Sequence, residues 1–340
     1  GNTIANQLRP ARSLTSEVGV ELGFFKDRIF FEATYYKSYT YDQIISVPTA
    51  PSSGFNSRTI NLGDVANRGL EMALRFTPVH TKSGFKWDVN ATYTRNTNEV
   101  LSLANGVSRV VIGGFSGMEI AAAVGKPFGA FYAIDNQTDA NGYVVVDQNS
   151  GLPKPTTNAV YKGSYQPRFM ASLGTNLNYK GFSLNVLFDT KQGGVFFSRT
   201  KDIMEFVGTS ANTENRDDQV FPNSVYIDAN GNSVANTTKY SPYDYFTSVA
   251  PVGTHVLDAS YIKLREASLG YTLPSKLMKK TGFSSAKVSL FGNNLFIWTS
   301  KENRYADPEV NSGGNSDEQG LDFSARPSLR NYGISLKVTF

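Results

Sequence analysis

His80 and His255 are the only histidines in the chain. Asp258 follows His255 by three residues and serines are plentiful, so a Ser-His-Asp hydrolase has its residue types. No G-x-S-x-G segment presents a nucleophile, however. Asp217 and Asp218 supply two carboxylates of the kind a glycosidase places around its bond. Adjacent in an Asn- and Asp-rich stretch, they read as a solvated loop pair. No G-x-x-x-x-G-K-[ST] phosphate loop occurs. The tetrapeptide Asp-Ala-Asn-Gly occurs twice, at 139–142 and 228–231. Asp228, Asn230 and Asn232 match the first ligand positions of a calcium loop. But Ser233 stands where Gly is needed, and Lys239 stands where the bidentate Glu belongs. Both copies therefore read as tight turns, as Asn-Gly favours. The chain has no cysteine, which excludes disulfides and Cys-based zinc sites. No catalytic residue, metal or cofactor is assigned.

Binding chemistry has better candidates. Aromatic rings stack on sugar faces and amides satisfy hydroxyls. Phe115, Phe197, Asn212 and Tyr226 lie in polar, loop-like segments and are the expected substrate contacts. A second set is polar and recurs at alternate positions of strand-like segments: Glu71, Arg75, Lys86, Asp88, Asn90, Asn176, Asn185 and Lys337. Net charge is +4, with Lys and Arg scattered singly. The densest cluster, Lys276, Lys279 and Lys280, is too small for a nucleic-acid face. No nucleic-acid partner is expected.

These residues must be positioned by strands. Period-2 alternation runs through the chain. Tyr332, Ile334, Leu336, Val338 and Phe340 alternate with Gly333, Ser335, Lys337 and Thr339. Val18 to Phe24, Leu70 to Phe76, Phe85 to Tyr93, Phe169 to Tyr179 and Phe182 to Phe188 repeat the pattern, with Thr175 and Leu187 out of phase. Nine strands are predicted, near 14–25, 28–46, 67–78, 84–99, 166–180, 181–196, 256–273, 285–298 and 328–340. Their length suits a membrane-spanning strand of about 9–11 residues. The links alternate between short (25–28, 77–84, 180–181 and 273–285) and long and polar (47–66, 101–166, 197–255 and 300–328). Outer-membrane barrels show that alternation, with short periplasmic turns and long outer loops. With Phe340 on the periplasmic side, every long loop falls outside. No segment is long and apolar enough for a membrane helix. Aromatic residues make up 13% of the chain, which suits interfacial girdles. Nine is odd, and residue 1 is Gly with no signal peptide after it, so an upstream part of the protein is expected elsewhere. A passive channel, an adhesive barrel and a soluble glycan-binding sandwich remain alternatives at this level.

An ordered set of motifs narrows the reading. It comprises Asn61-Leu62-Gly63-Asp64-Val65-Ala66-Asn67-Arg68-Gly69-Leu70-Glu71, Gly125-Lys126-Pro127-Phe128-Gly129 with Phe131-Tyr132, and Gln166-Pro167-Arg168. It continues with Gln192-Gly193-Gly194, Ser260 to Arg265, Leu269 to Pro274, Gly292-Asn293-Asn294-Leu295 and Asp307-Pro308-Glu309-Val310. From about residue 14 to 340 the chain resembles SusC/RagA-type TonB-dependent outer-membrane transporters. The turn at 139–151 departs from the richer acidic turn often found there. The resemblance implies an all-β fold: an antiparallel transmembrane barrel of 22 strands, of which residues 1–340 are the C-terminal nine. It implies that the plug, TonB box and first thirteen strands lie outside this chain. It also implies energised import of a nutrient oligosaccharide (glycan) or peptide, with TonB, a SusD-type lipoprotein and outer-membrane lipid as partners. The polar set then faces the lumen, touching a plug or lining a merely hydrated interior. Tyr332 and Phe340 become the barrel-assembly signal at the C-terminus.

Overall fold

The computed structural model describes residues 2–4, 8–278, 282–314 and 316–340. Lys279 and Lys280 lie outside them. Nine strands form one antiparallel sheet in chain order: β1 (Arg12–Phe24), β2 (Ile29–Pro48), β3 (Ser57–His80), β4 (Lys86–Leu103), β5 (Phe169–Tyr179), β6 (Phe182–Gln192), β7 (Tyr261–Thr272), β8 (Ser285–Thr299) and β9 (Asn331–Thr339). Each pairs with its sequence neighbour, as the nine expected strands require. A short strand, Asn2–Ile4, runs parallel to the start of β3.

Register gives the sheet two chemically different faces. Leu22, Phe31, Leu74, Ala91, Leu173, Phe188 and Leu264 stand opposite one another across β1 to β7. Leu177, Leu184, Leu269, Leu290 and Ile334 form a second such row across β5 to β9. Leu22, Leu173, Phe188, Leu269, Leu290 and Ile334 in these rows are exposed, Leu173 at 52% and Ile334 at 73%, and the others are half-buried. A water-soluble protein rarely shows so large a continuous apolar face. Thr175, out of phase by polarity, sits on this face and accepts a hydrogen bond from Trp87 Nε1 at 2.7 Å. Leu187, the other exception, stands on the polar face opposite Gly174, whose missing side chain leaves room for it.

Aromatic residues border the apolar face at both ends. At the short-link end Phe85 meets Tyr179, Phe182 meets Tyr271 and Phe283 meets Phe340, at centroid distances of 6.1, 4.5 and 5.2 Å. At the other end Tyr93 stacks on Phe169 and Phe296 on Trp298. From Phe169 to Tyr179 a strand rises roughly 33 Å. Tilted by about 40°, that is a band of about 25 Å between the girdles.

The short links occupy 25–28, 81–85, 180–181 and 273–284. Lys180 and Gly181 both have positive φ, 46° and 87°, as a two-residue type I′ hairpin needs. The long links differ from the sequence expectation. Residues 47–66 are not a polar loop: β2 continues to Pro48 and β3 begins at Ser57. Ile45, Leu62 and Val65 drive the extension, because they are buried. At 24 residues, β3 is roughly 80 Å long, far more than a bilayer needs. Residues 101–166 are not an open loop either. They hold a four-stranded antiparallel sheet built from Arg109–Phe115, Met118–Ala123, Ala130–Ala133 and Val160–Ser164. Residues 197–255 hold helix α1 (Arg199–Phe206), and Leu321–Asp322 pairs in parallel with Phe197–Ser198. The largest buried apolar cluster lies here, at the long-link end. Ile45, Leu62 and Val100 from the wall meet Met118, Ile120, Phe131, Phe197 and Leu321 from the loops.

Candidate functional site

The polar face of the wall is the first part of the site. All eight polar residues expected to share a side do so by register. Glu71 faces Thr34 and Thr94, and Arg75 faces Asn90. Asp88 faces Asn176, which faces Asn185. Lys337 faces Lys287. Lys86 Nζ pairs with Asp88 Oδ2 at 2.9 Å, and Thr77 donates to Asp88 Oδ1 at 2.7 Å. Asn185 Nδ2 donates to Ser268 Oγ at 3.1 Å, and the Arg75 guanidinium lies over the Phe30 ring. Glu21 directly faces Glu32, as Lys287 faces Lys337. Such like-charge pairs destabilise a dry sheet, so this face suits water or a charged partner.

The second part is an ion-pair latch at the long-link end. A β-bulge near Arg265 shifts the register of β7 against both β6 and β8. The extra residue re-aims the strand and leaves Tyr261, Lys263 and Arg265 in one cluster. Lys263, 2% exposed, donates to Asp307 Oδ2 at 2.8 Å and to Glu309. Arg265 grips two carboxylates. Nε and NH2 donate to Asp189 at 2.9 and 2.6 Å, while NH1 and NH2 donate to Glu309 at 3.0 and 2.8 Å. Tyr261 OH donates to Glu309 at 2.6 Å, and Ser328 Oγ donates to Asp307. Burial alone would raise the Glu309 carboxyl. Hydrogen bonds from Arg265, Lys263 and Tyr261 outweigh it and bring the group to about 2. The latch therefore ties the Asp307-Pro308-Glu309 loop to the wall. Fork-to-carboxylate pairs of this kind are geometrically specific.

The other motifs are packing devices. Asn67 Oδ1 accepts from Asn96 and Asn98 side chains at 3.1 and 2.9 Å, and Asn98 Oδ1 accepts from Phe128 N at 2.7 Å. A Cβ on Gly69 would meet the Tyr36 ring at 2.4 Å, and one on Gly129 the Tyr165 ring at 2.0 Å. Gly129 also has φ +79°, which favours glycine.

The four expected ligand contacts do not converge. Phe197 is a core residue, 1% exposed, and its ring packs against Phe115, Phe323 and His255. It has no free face for a sugar, so that expectation is corrected. The apolar residues of folded loops explain why a loop aromatic is buried. Phe115 is half-buried in the same cluster. Asn212 is exposed and donates to Glu205 Oε1 at 2.7 Å. Tyr226 lies in the separate strand Ser224–Ile227. Tyr332 is 70% exposed on the apolar face and Phe340 87% at the terminus.

His255 Nε2 lies 3.1 Å from Glu205 Oε2, both nearly buried, whereas Asp258 instead accepts from Ser260 N. A Ser-His-Asp arrangement is therefore not formed around His255. Burial would raise Glu205, but the His255 hydrogen bond, the Lys201 charge and the Asn212 bond hold its carboxyl below the usual range. The two Asp-Ala-Asn-Gly copies fold alike. Asp139 Oδ1 accepts from Asn141 N and Tyr143 N, and Asp228 Oδ1 from Asn230 N and Asn232 N. Those carboxylates are thus committed to their own turns.

A membrane-spanning antiparallel β-wall, apolar on one face and polar on the other, with folded loops at one end, is the class this structure defines. The chain belongs to the family described as TonB dependent receptor-like, beta-barrel, which matches residues 1–295. Its members are outer-membrane receptors and transporters of Gram-negative bacteria, not enzymes. The chain is 25% identical to TonB-dependent receptor P3 of Formosa agariphila, over 95% of this chain and 34% of that protein. It is 24% identical to TonB-dependent receptor SusC of Bacteroides thetaiotaomicron, over 98% of this chain and 32% of that protein. Among solved structures, the RagAB peptide transporter superposes with a TM-score of 0.69 at 18% identity. The match covers 96% of this chain and 35% of that one. The chain thus spans about a third of the length of these relatives.

Proposed function

We propose that this chain forms the C-terminal barrel wall of an outer-membrane importer that takes up an oligosaccharide or a peptide using energy passed through TonB. The observation that carries this reading is the register of the wall, with apolar rows on one face and Glu71, Arg75, Asp88, Asn176 and Asn185 on the other. In the complete protein the polar face lines the lumen, and the like-charged pairs meet water or a plug supplied by the rest of the chain. Residues 1–340 then serve as one unit of the barrel, with Tyr332 and Phe340 as its assembly signal. The long-link end faces outward, where a SusD-type lipoprotein covers the folded loops. The names of two relatives support this partnership: one is called SusC, and the other is titled as the RagAB peptide transporter. Phe115, Asn212 and Tyr226 stay as ligand-side candidates.

The test is uptake of labelled oligosaccharides and peptides by cells expressing the complete protein. Uptake that stops when TonB is deleted, with little ion conductance of the purified protein in planar bilayers, is the expected result. A large constitutive pore, with uptake indifferent to TonB, points to a passive channel and overturns the proposal.

A further inference from the structure

The last two long links meet in a cleft of about 490 Å³, within the roughly 300–1,000 Å³ typical of small-molecule sites. It is distinct from the polar wall and from the latch. Lys201 from α1 lies at its floor with a side chain only 12% exposed. Its ammonium donates to Thr254 O at 2.6 Å and is ion-paired with Glu205 Oε1 at 3.7 Å. An ammonium has three donors, so this buried group keeps donor capacity unused. Burial pushes the Lys201 amine down, with the Glu205 and Glu302 charges opposing.

At the rim, Lys301 and Arg304 are exposed and line the same cleft. Neither has a hydrogen bond or ion pair among the described residues. Three cations therefore face one space, two of them without a partner. Asn212 spends its NH2 group on Glu205 and leaves its amide oxygen free. Tyr305 holds its hydroxyl against Ser210 at 2.9 Å. Glu214 and Glu302 complete the lining.

We propose that this cleft is a ligand subsite for a carboxylate-bearing saccharide, with the carboxylate on Arg304 and Lys301 and the hydroxyls on Asn212, Glu214 and Glu302. Arg presents a fork that matches a carboxylate, and Lys adds a point charge. The two glutamates decide between ligand classes. They accept hydrogen bonds from hydroxyls, which an acidic peptide of the same net charge does not supply. A chain with one acid group per ring among many hydroxyls satisfies both halves of the lining. This inference rests on the import reading and names the ligand class for it.

The experiment uses the complete transporter with its partner, purified in detergent, and isothermal titration with three probes. They are trigalacturonate, the same trisaccharide with its carboxylates reduced to alcohols, and triglutamate. Trigalacturonate is expected to bind at least about tenfold more tightly than either other probe, as charge-assisted hydrogen bonds imply. The double variant Lys301→Ala, Arg304→Ala removes exposed side chains and leaves the fold intact. It is expected to bind trigalacturonate and its reduced form alike. Equal binding of the two sugars by the unaltered protein overturns the proposal, as do no binding, unchanged preference in the variant, and tighter binding of triglutamate. Energised uptake is measured separately. Its loss with binding retained counts against import and not against the cleft.

Discussion

Leu173 gives the sharpest test of which face meets lipid. It stands on β5, close to midway between Phe169 and Tyr179, in the row that links Leu74, Ala91 and Phe188. Half of its surface is exposed. The substitution Leu173→Arg puts a guanidinium near the middle of the apolar band. An arginine at the bilayer midplane of a barrel costs about 2–4 kcal/mol. The control is Asn176→Arg, three residues along on the opposite face. There the new guanidinium faces Asp88 across the pair with β4, so the cost is expected to be about zero, with a pair worth up to ~1 kcal/mol. The assay is urea unfolding of the complete protein in lipid vesicles, with the folded fraction read by heat-resistant migration on gels. A loss of about 2–4 kcal/mol for Leu173→Arg against less than about 1 kcal/mol for Asn176→Arg is expected. Equal losses, or the reverse order, would refute the assignment of faces.

Three other outcomes follow from the loop end. Glu309→Gln weakens the grip of Arg265 and of the buried Lys263, which keeps Asp307, so a stability loss of about 1–3 kcal/mol is expected. Since the Glu309 carboxyl is depressed to about 2 when folded, its contribution is complete above the ordinary carboxyl range. It is lost as pH falls from about 5 toward 2. Proteolysis within 300–330 should therefore rise on acidification in the parent and start high in Glu309→Gln. Pepsin mapping, which works at low pH, reads this, and identical pH profiles for the two proteins would count against the latch. Gly129→Ala forces a Cβ into the Tyr165 ring, whereas Gly125→Ala meets nothing within 4 Å and carries only the left-handed φ of +74°. The second should cost about 1–2 kcal/mol and the first clearly more, checked by trypsin resistance of assembled protein. Phe197→Ala empties a buried ring site and should cost about 3–5 kcal/mol, whereas Tyr226→Ala, half-buried on a small outlying sheet, should cost less by the same unfolding assay.

The wall was legible because a period of two repeats through nearly every strand, and the links between strands alternate in length. One-residue register shifts would reverse the faces, so alternating polarity by itself groups the eight polar residues on one side. The upper third of the fold was less legible for physical reasons. In Leu101 to Gln166 and Phe197 to His255 short apolar runs such as Met118 to Ala123 sit among many Asn, Ser and Gly residues. Each run is too short to announce a strand, and its partner lies far along the chain: Val160 to Ser164 pairs with Ala130 to Ala133. Phe197 shows the consequence. Its polar surroundings in the sequence predict a surface ring, but long-range packing with Phe115 and Leu321 makes it core. The latch is illegible in the sequence for a related reason. Tyr261, Lys263 and Arg265 alternate visibly, and Asp307-Pro308-Glu309 is a recognisable motif. Their meeting depends on the bulge in β7 and on a loop fold that no local pattern encodes.

Spin labelling tests whether β5 crosses a membrane with one face to lipid. The chain has no cysteine. In the complete protein, with any cysteine outside this chain replaced by serine, single cysteines are introduced at Ala171, Ser172, Leu173, Gly174, Asn176 and Leu177 and labelled with a nitroxide in vesicles. A period of two is expected: labels at 171, 173 and 177 collide more with lipid-soluble oxygen, and labels at 172, 174 and 176 collide less. Uniform oxygen access along the strand, or the opposite phase, would contradict it.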